Sequence, residues 1–62
     1  MTLPKPATVL VEETIDNLKI DSAYLRMFSR EEANETAAEV LRKASSGITR
    51  LSERLERLLR GA

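Results

Sequence analysis

The chain has 62 residues, and its ten basic and ten acidic side chains cancel. It contains no cysteine and no histidine, which excludes disulfides, the commonest zinc ligands and the usual nucleophile–base pairs of enzymes. A lone chain of this length buries only about 60% of the surface that its unfolded form exposes. Self-association is therefore the expected means of stabilisation.

The N-terminal residues predict an extended tail over residues 1–7. Pro4 and Pro6 fix their own φ angles and disfavour helical conformations in the residues that precede them. The first residues also lack the basic start and the apolar stretch of a signal peptide. Because no apolar run approaches membrane-spanning length, we expect a cytoplasmic protein with a single small domain over residues 8–62.

The next segment predicts a short helix from Thr8 to Lys19. Val11, Ile15 and Leu18 recur at helical spacing. The β-branched start of this segment would also suit a strand, but the chain offers no second strand as a partner. We therefore predict a helix of three turns.

A break is expected at residues 20–22, followed by a short turn over residues 23–28 that holds both aromatic residues. Tyr24 and Phe28 are interpreted first as plugs at the end of a helical core. The alternative is a binding hot spot, because a few aromatic residues often dominate an interface.

A capping box predicts the start of a long second helix. Ser29 is followed three residues later by Glu32, the spacing at which each side chain can accept a backbone N–H of the other residue. Glutamates crowd the early turns and arginines the last ones, and both placements complement the helix dipole. Gly61 is a plausible stop.

Within this helix, apolar residues are spaced alternately four and three apart, as in a heptad repeat that forms a helix–helix interface. We call this row the predicted seam. Its members are Ala37, Leu41, Ala44, Ile48, Leu51, Leu55 and Leu58.

Two architectures compete at Ser45–Gly47, three residues that are poor helix formers. Because the seam keeps its phase across Gly47, the favoured fold is all-α. It has a short N-terminal helix and a long C-terminal helix, packed as a hairpin or bundle and associated as an antiparallel homodimer resembling a four-helix bundle. The alternative is a monomeric three-helix bundle that is broken at Ser45–Gly47.

The charge distribution favours the antiparallel arrangement. Residues 1–41 hold eight acidic and four basic side chains, whereas residues 42–62 hold six basic and two acidic ones. An antiparallel pair sets the acidic half of one long helix beside the basic half of its copy, although exposed ion pairs each contribute little.

A basic stripe motivates a second hypothesis. Lys43, Arg50, Arg54 and Arg57 share one helix face at about 100° per residue, and such a stripe can follow nucleic-acid phosphates. The run from Ala38 to Glu56 also resembles the helix-turn-recognition-helix stretch of MarR-type winged-helix repressors. The resemblance implies that Ser46, Thr49, Arg50 and Arg54 would contact DNA.

The remaining chemistry is sparse. Glu31, Glu35 and Glu39 have the spacing of a carboxylate stripe, which is interpreted as a solvated helix face because metal-binding bundles pair such glutamates with histidine. No enzyme activity, metal or cofactor is expected, and membrane-surface binding is the least favoured alternative. The leading hypothesis is a small interaction protein (a regulator, adaptor or inhibitor) that acts through protein contacts as a homo-oligomer. The second is a minimal helix-turn-helix DNA-binding regulator.

Overall fold

The computed structural model describes residues 3–61 and shows an α-helical hairpin. Helix α1 spans Lys5–Glu31 and helix α2 spans Glu35–Gly61, each with 27 residues. Residues 32–34 join them, so the two helices run antiparallel and pack along their length. The molecule measures 48 × 15 × 10 Å. The prediction of an all-α hairpin is confirmed.

Helix α1 begins earlier than the prolines suggested. It starts at Lys5 with Pro6 in its first turn, and the N–H of Thr8 donates to the carbonyl of Pro4 over 3.0 Å. The first N–H groups of a helix have no intrahelical acceptor, so a proline there removes no bond. The predicted tail is therefore wrong for residues 5–7, and its residues 1 and 2 lie outside the described part of the chain.

Helix α1 also continues past both of its predicted boundaries. The expected break at residues 20–22 and the expected helix start at Ser29 are wrong, because α1 runs unbroken to Glu31. The N-terminal helix is thus as long as the second one. Ser22 and Ser29 are buried within it, and the Ser29 hydroxyl donates to the carbonyl of Arg26 over 2.7 Å instead of capping a new helix.

The turn is formed by residues that the sequence analysis had assigned to the long helix. The carboxylate of Glu32 accepts the N–H of Asn34 at 3.1 Å, and the Asn34 side-chain oxygen accepts the N–H of Ala37 at 2.9 Å. Asn34 is therefore the N-cap of α2.

Helix α2 is continuous through Ser45–Gly47, as the phase of the predicted seam indicated. The alternative of a three-helix bundle broken at these residues is wrong. No positive φ occurs among the described residues, so Gly47 has ordinary helical geometry. Packing against α1 offsets the poor helix propensity of this segment, because Ser45 bonds to the other helix.

Hydroxyl groups fill the middle of the hairpin. The Ser45 hydroxyl donates to the carbonyl of Ser22 over 2.8 Å. The Ser22 Oγ lies 2.9 Å from the carbonyl of Ser45 and 2.7 Å from the Thr49 hydroxyl. Side chains this short reach the opposite backbone only if the two helices approach closely. The cluster is satisfied, since no buried side-chain polar atom among the described residues lacks a partner.

The apolar core is correspondingly thin. Ile15 is the one hydrophobic residue of the described chain that is fully buried, at 5% exposure. Larger apolar residues beside the serines are only half-buried, and these are Val11, Leu18, Leu25, Leu41, Ile48, Leu55 and Leu59. The hairpin thus leaves much of its apolar surface in water.

Candidate association surface

The predicted seam on α2 is divided between the hairpin interior and the solvent. Four of its members are half-buried, namely Ala37, Leu41, Ile48 and Leu55. Ala44, Leu51 and Leu58 are exposed. The division arises because α2 turns its serines toward α1: Ser45 and Ser52, each one residue beyond a predicted seam position, are each 1% exposed.

The exposed members belong to an apolar stripe that we call the Leu51 face, which Arg54 interrupts between Leu51 and Leu58. It consists of Ala37, Val40, Ala44, Gly47, Leu51 and Leu58. Steps of three, four and seven residues place them on one side of a helix. Val40 is 61% exposed, Leu51 43% and Leu58 64%, so three large apolar side chains of this face contact water.

The opposite edge of the hairpin is polar. There the Lys19 ammonium lies 2.7 Å from a carboxylate oxygen of Glu56, and Arg26, Met27 and Glu53 help to line an open groove between the helices. At about 100° per residue, Leu51 and Leu58 point away from this groove. The hairpin therefore has one polar edge and one apolar edge.

The ion pair on the polar edge connects the two helices. Its hydrogen bond and charge attraction raise the pKa of Lys19 above its ordinary value. The same hydrogen bond holds the pKa of Glu56 below its ordinary value, against a smaller opposing effect of desolvation. The Glu56 side chain is 25% exposed and also lies 3.2 Å from Arg60.

Both aromatic residues lie on the outer surface of α1. Tyr24 is 55% exposed and Phe28 51%, so the interpretation of these rings as plugs of a core is wrong for the single chain. Leu25 between them is the half-buried residue. Tyr24 lines a shallow apolar pocket with Ile20 and Met27, and the hot-spot interpretation stays a prediction.

All four side chains of the basic stripe are exposed to solvent. Lys43, Arg50, Arg54 and Arg57 are all exposed, and only Lys43 has an ion-pair partner within residues 3–61, at 3.4 Å from Glu39. The turn implied by the likeness to MarR-type repressors is absent, because α2 is unbroken from Glu35 to Gly61. The stripe therefore lies on one straight helix rather than on a helix-turn-helix unit.

The carboxylate stripe is not a single face. Glu31 ends α1, whereas Glu35 begins α2 and Glu39 follows one turn later. Within residues 3–61, no group of three or more Asp or Glu side chains is placed to hold a metal ion. None of the described helices combines the length and apolarity needed to cross a membrane.

Sequence reasoning missed the hydroxyl cluster of Ser22, Ser45 and Thr49, which decides how the helices meet. A signal was present: Ser22 and Ser29 are seven residues apart, as are Ser45 and Ser52. In α1 these serines also continue the spacing of Ile15 and its apolar neighbours. Serines in phase with an apolar row indicate close helix packing rather than a helix boundary.

Comparison of the chain with protein-family models, with curated proteins and with solved structures finds no match. Function is therefore inferred from the geometry of the hairpin.

Proposed function

We propose that the protein is a small, non-enzymatic interaction protein that acts as a homo-oligomer through the Leu51 face, with a dimer favoured. Its role would be that of a regulator, adaptor or inhibitor that presents helical surface to another macromolecule. The observation that carries the proposal is the row of exposed apolar side chains on α2, of which Leu58 at 64% exposure is the extreme case.

The surface area of the hairpin supports this proposal. The accessible surface is 4918 Å², whereas a compact monomer of 7.0 kDa would have about 4,000 Å². The excess of about 900 Å² per chain is comparable to what each partner buries in a protein interface of standard size. Two hairpins that join along their apolar edges would remove this excess.

The chemistry of the face also supports association. Full burial of a leucine or valine side chain contributes about 1.5–3 kcal/mol, and Val40, Leu51 and Leu58 occur once in each copy. The seven-residue step from Leu51 to Leu58 is the spacing of a coiled-coil contact. We expect a four-helix arrangement in which the half-buried residues of each hairpin become fully buried.

Sedimentation equilibrium across a concentration series tests the proposal. We expect a mass near twice 7.0 kDa at micromolar concentration for the natural sequence and a monomer for Leu51→Glu. Met27→Glu is the matched control, because Met27 is 44% exposed and Leu51 43% but Met27 lies on α1, outside the Leu51 face. A natural chain that stays monomeric at all concentrations would contradict the proposal.

Nucleic-acid contact is the second candidate, and the observation that favours it is the exposure of the basic stripe. Arg50, Arg54 and Arg57 have no ion-pair partner within the described residues. Phosphate contacts of this kind weaken steeply with salt. We therefore expect any affinity for duplex DNA at 50 mM salt to be lost in an Arg50→Gln/Arg54→Gln variant, and no affinity at that salt concentration would remove this candidate.

A further inference from the structure

Gly47 has no structural role within a single hairpin. It lies in the middle of α2, where glycine is the least favourable residue after proline. Its φ is not positive, and a Cβ built on it would have no atom within 4 Å. Neither backbone geometry nor crowding within the chain therefore requires a glycine at this position.

The position of Gly47 on the Leu51 face suggests a contact from outside the chain. Glycine permits close approach of another backbone. It is flanked on this face by Ala44 and Leu51, and one heptad further out by Ala37 and Leu58. Two alanines therefore precede the glycine and two leucines follow it, and Val40 is the one large side chain of this face that precedes the glycine.

This order of sizes is self-complementary when a copy of α2 is reversed. If two α2 helices cross at Gly47, Leu51 of one copy lies opposite Ala44 of the other. Leu58 then lies opposite Ala37 in the same way. Large side chains facing small ones fill the space between two helices evenly, whereas a parallel pair would set leucine against leucine and alanine against alanine.

The charge distribution of α2 also favours the antiparallel orientation. Glu35 and Glu39 lie in the first two turns of α2, and Arg54 and Arg57 lie near its end. In the reversed pair the basic end of one α2 lies near the acidic end of the other, with Arg54 beside the Leu51 face and Glu39 and Glu35 about 120° and 160° away from Leu51 around the helix. A parallel pair would instead bring like charges together. Exposed ion pairs contribute little energy, but they discriminate between the two directions.

We infer that a second copy of this chain docks antiparallel on the Leu51 face, with the two-fold axis of the dimer beside Gly47. The inference depends on the proposed self-association and specifies its geometry. Such a contact is isologous, since each copy uses the same stripe of residues. It also accounts for the glycine, because the two α2 backbones approach each other most closely where they cross.

Disulfide trapping tests this geometry, because the natural chain has no cysteine. Ala44→Cys and Leu51→Cys are purified separately, mixed and oxidised at micromolar concentration. A disulfide needs Cα atoms about 4.4–6.8 Å apart. The antiparallel pair brings positions 51 and 44 of different copies together, whereas two copies of position 51 are offset by about 10 Å, seven residues at 1.5 Å each.

We expect the mixed disulfide to exceed either homodimeric disulfide by at least tenfold in intact-mass spectra. Leu58→Cys mixed with Ala37→Cys is a second pair, in case one variant folds poorly by circular dichroism. Homodimeric disulfides from each variant alone would overturn the antiparallel geometry. A dimer by sedimentation that forms neither mixed disulfide would also overturn it and leave the proposed self-association standing, whereas a monomer would refute both.

Discussion

At the scale of single residues, the hairpin depends on small hydroxyl side chains where a helical pair usually has leucine. Ser22 lies at the centre of the interface, with one oxygen within hydrogen-bonding distance of both Ser45 and Thr49. Buried polar groups are tolerated only when they are bonded, and this cluster meets that condition. Its short side chains let the helices approach too closely for a larger residue to fit.

Ser22→Leu should therefore destabilise the protein although it extends an apolar row. Overpacking costs about 1–3 kcal/mol, whereas Ser22→Ala removes one satisfied hydroxyl and should cost about 1 kcal/mol. Urea unfolding at a fixed protein concentration measures both. The control is Asn17→Leu at an exposed position of α1, which should be nearly neutral, and a Ser22→Leu variant more stable than the natural chain would contradict the close packing.

Asn34 has a specific role as the N-cap of α2. Its side-chain oxygen accepts the N–H of Ala37 at 2.9 Å, which satisfies one of the free donors at the start of α2. Asn34→Ala should lower the free energy of unfolding by about 0.5–2 kcal/mol. The same change at Asn17, inside α1, should raise it slightly because alanine is the better helix former, so equal effects at both positions would argue against a cap.

At the scale of helices, the sequence predicted α2 better than α1. The apolar spacing correctly predicted that α2 is continuous through Gly47, because every member of the predicted seam is an alanine, isoleucine or leucine. In α1 the row passes through Ser22 and Ser29, and their low helix propensity suggested a break and a cap. Contacts with the opposite helix override the low helix propensity at these positions. These contacts cannot be deduced from the residue pattern of one sequence.

The same limit applies to the candidate site. Periodicity identified Leu51 and Leu58 as members of an apolar row, but it did not separate them from Leu41 and Leu55, which face α1. That separation depends on which side of α2 carries the small hydroxyl residues. Only the positions of both helices show that the Leu51 face stays open while Ser45 and Ser52 are covered.

The ion pair between the helices makes their packing sensitive to pH. The pKa of Glu56 is lowered, so its contribution is present above the ordinary glutamate value and is lost as the pH falls through the lowered pKa. The pKa of Lys19 is raised, so its contribution is present below the ordinary lysine value and is lost as the pH rises through the raised pKa. The pair therefore contributes fully between about pH 4.3 and pH 10.4.

Glu56→Gln should remove this pH dependence. We expect its melting temperature to lie below that of the natural chain in the neutral range and to approach it at both extremes. The difference should be small because the Lys19 side chain is 56% exposed and water screens such pairs. Glu53→Gln, which removes a carboxylate without an ion pair in the described residues, is the control, and an equal shift in both variants would exclude a specific effect of the pair.

At the scale of the whole molecule, the two edges of the hairpin have different roles. On the polar edge, Lys19 and Glu56 of the same chain form an ion pair. On the Leu51 face, the large apolar side chains remain exposed to water in the single chain. A chain of 62 residues without disulfides reaches a sufficient core most readily by pairing. Stability and self-association should then be coupled, so that dilution lowers the stability of the hairpin.

Leu51→Ala tests this coupling between stability and concentration. In the single chain Leu51 is 43% exposed, so its loss should cost less than about 1 kcal/mol in dilute solution. Once the dimer forms, both copies of the side chain are buried, and each truncation should cost about 2–5 kcal/mol.

The melting temperature of the natural chain should rise with concentration, and its difference from Leu51→Ala should widen over the same range. Met27 has a nearly equal starting exposure of 44% but lies on α1, outside the Leu51 face, so the effect of Met27→Ala should not change with concentration. If both variants shift the melting temperature equally at every concentration, the Leu51 face stays in water and a dimer through this face is excluded.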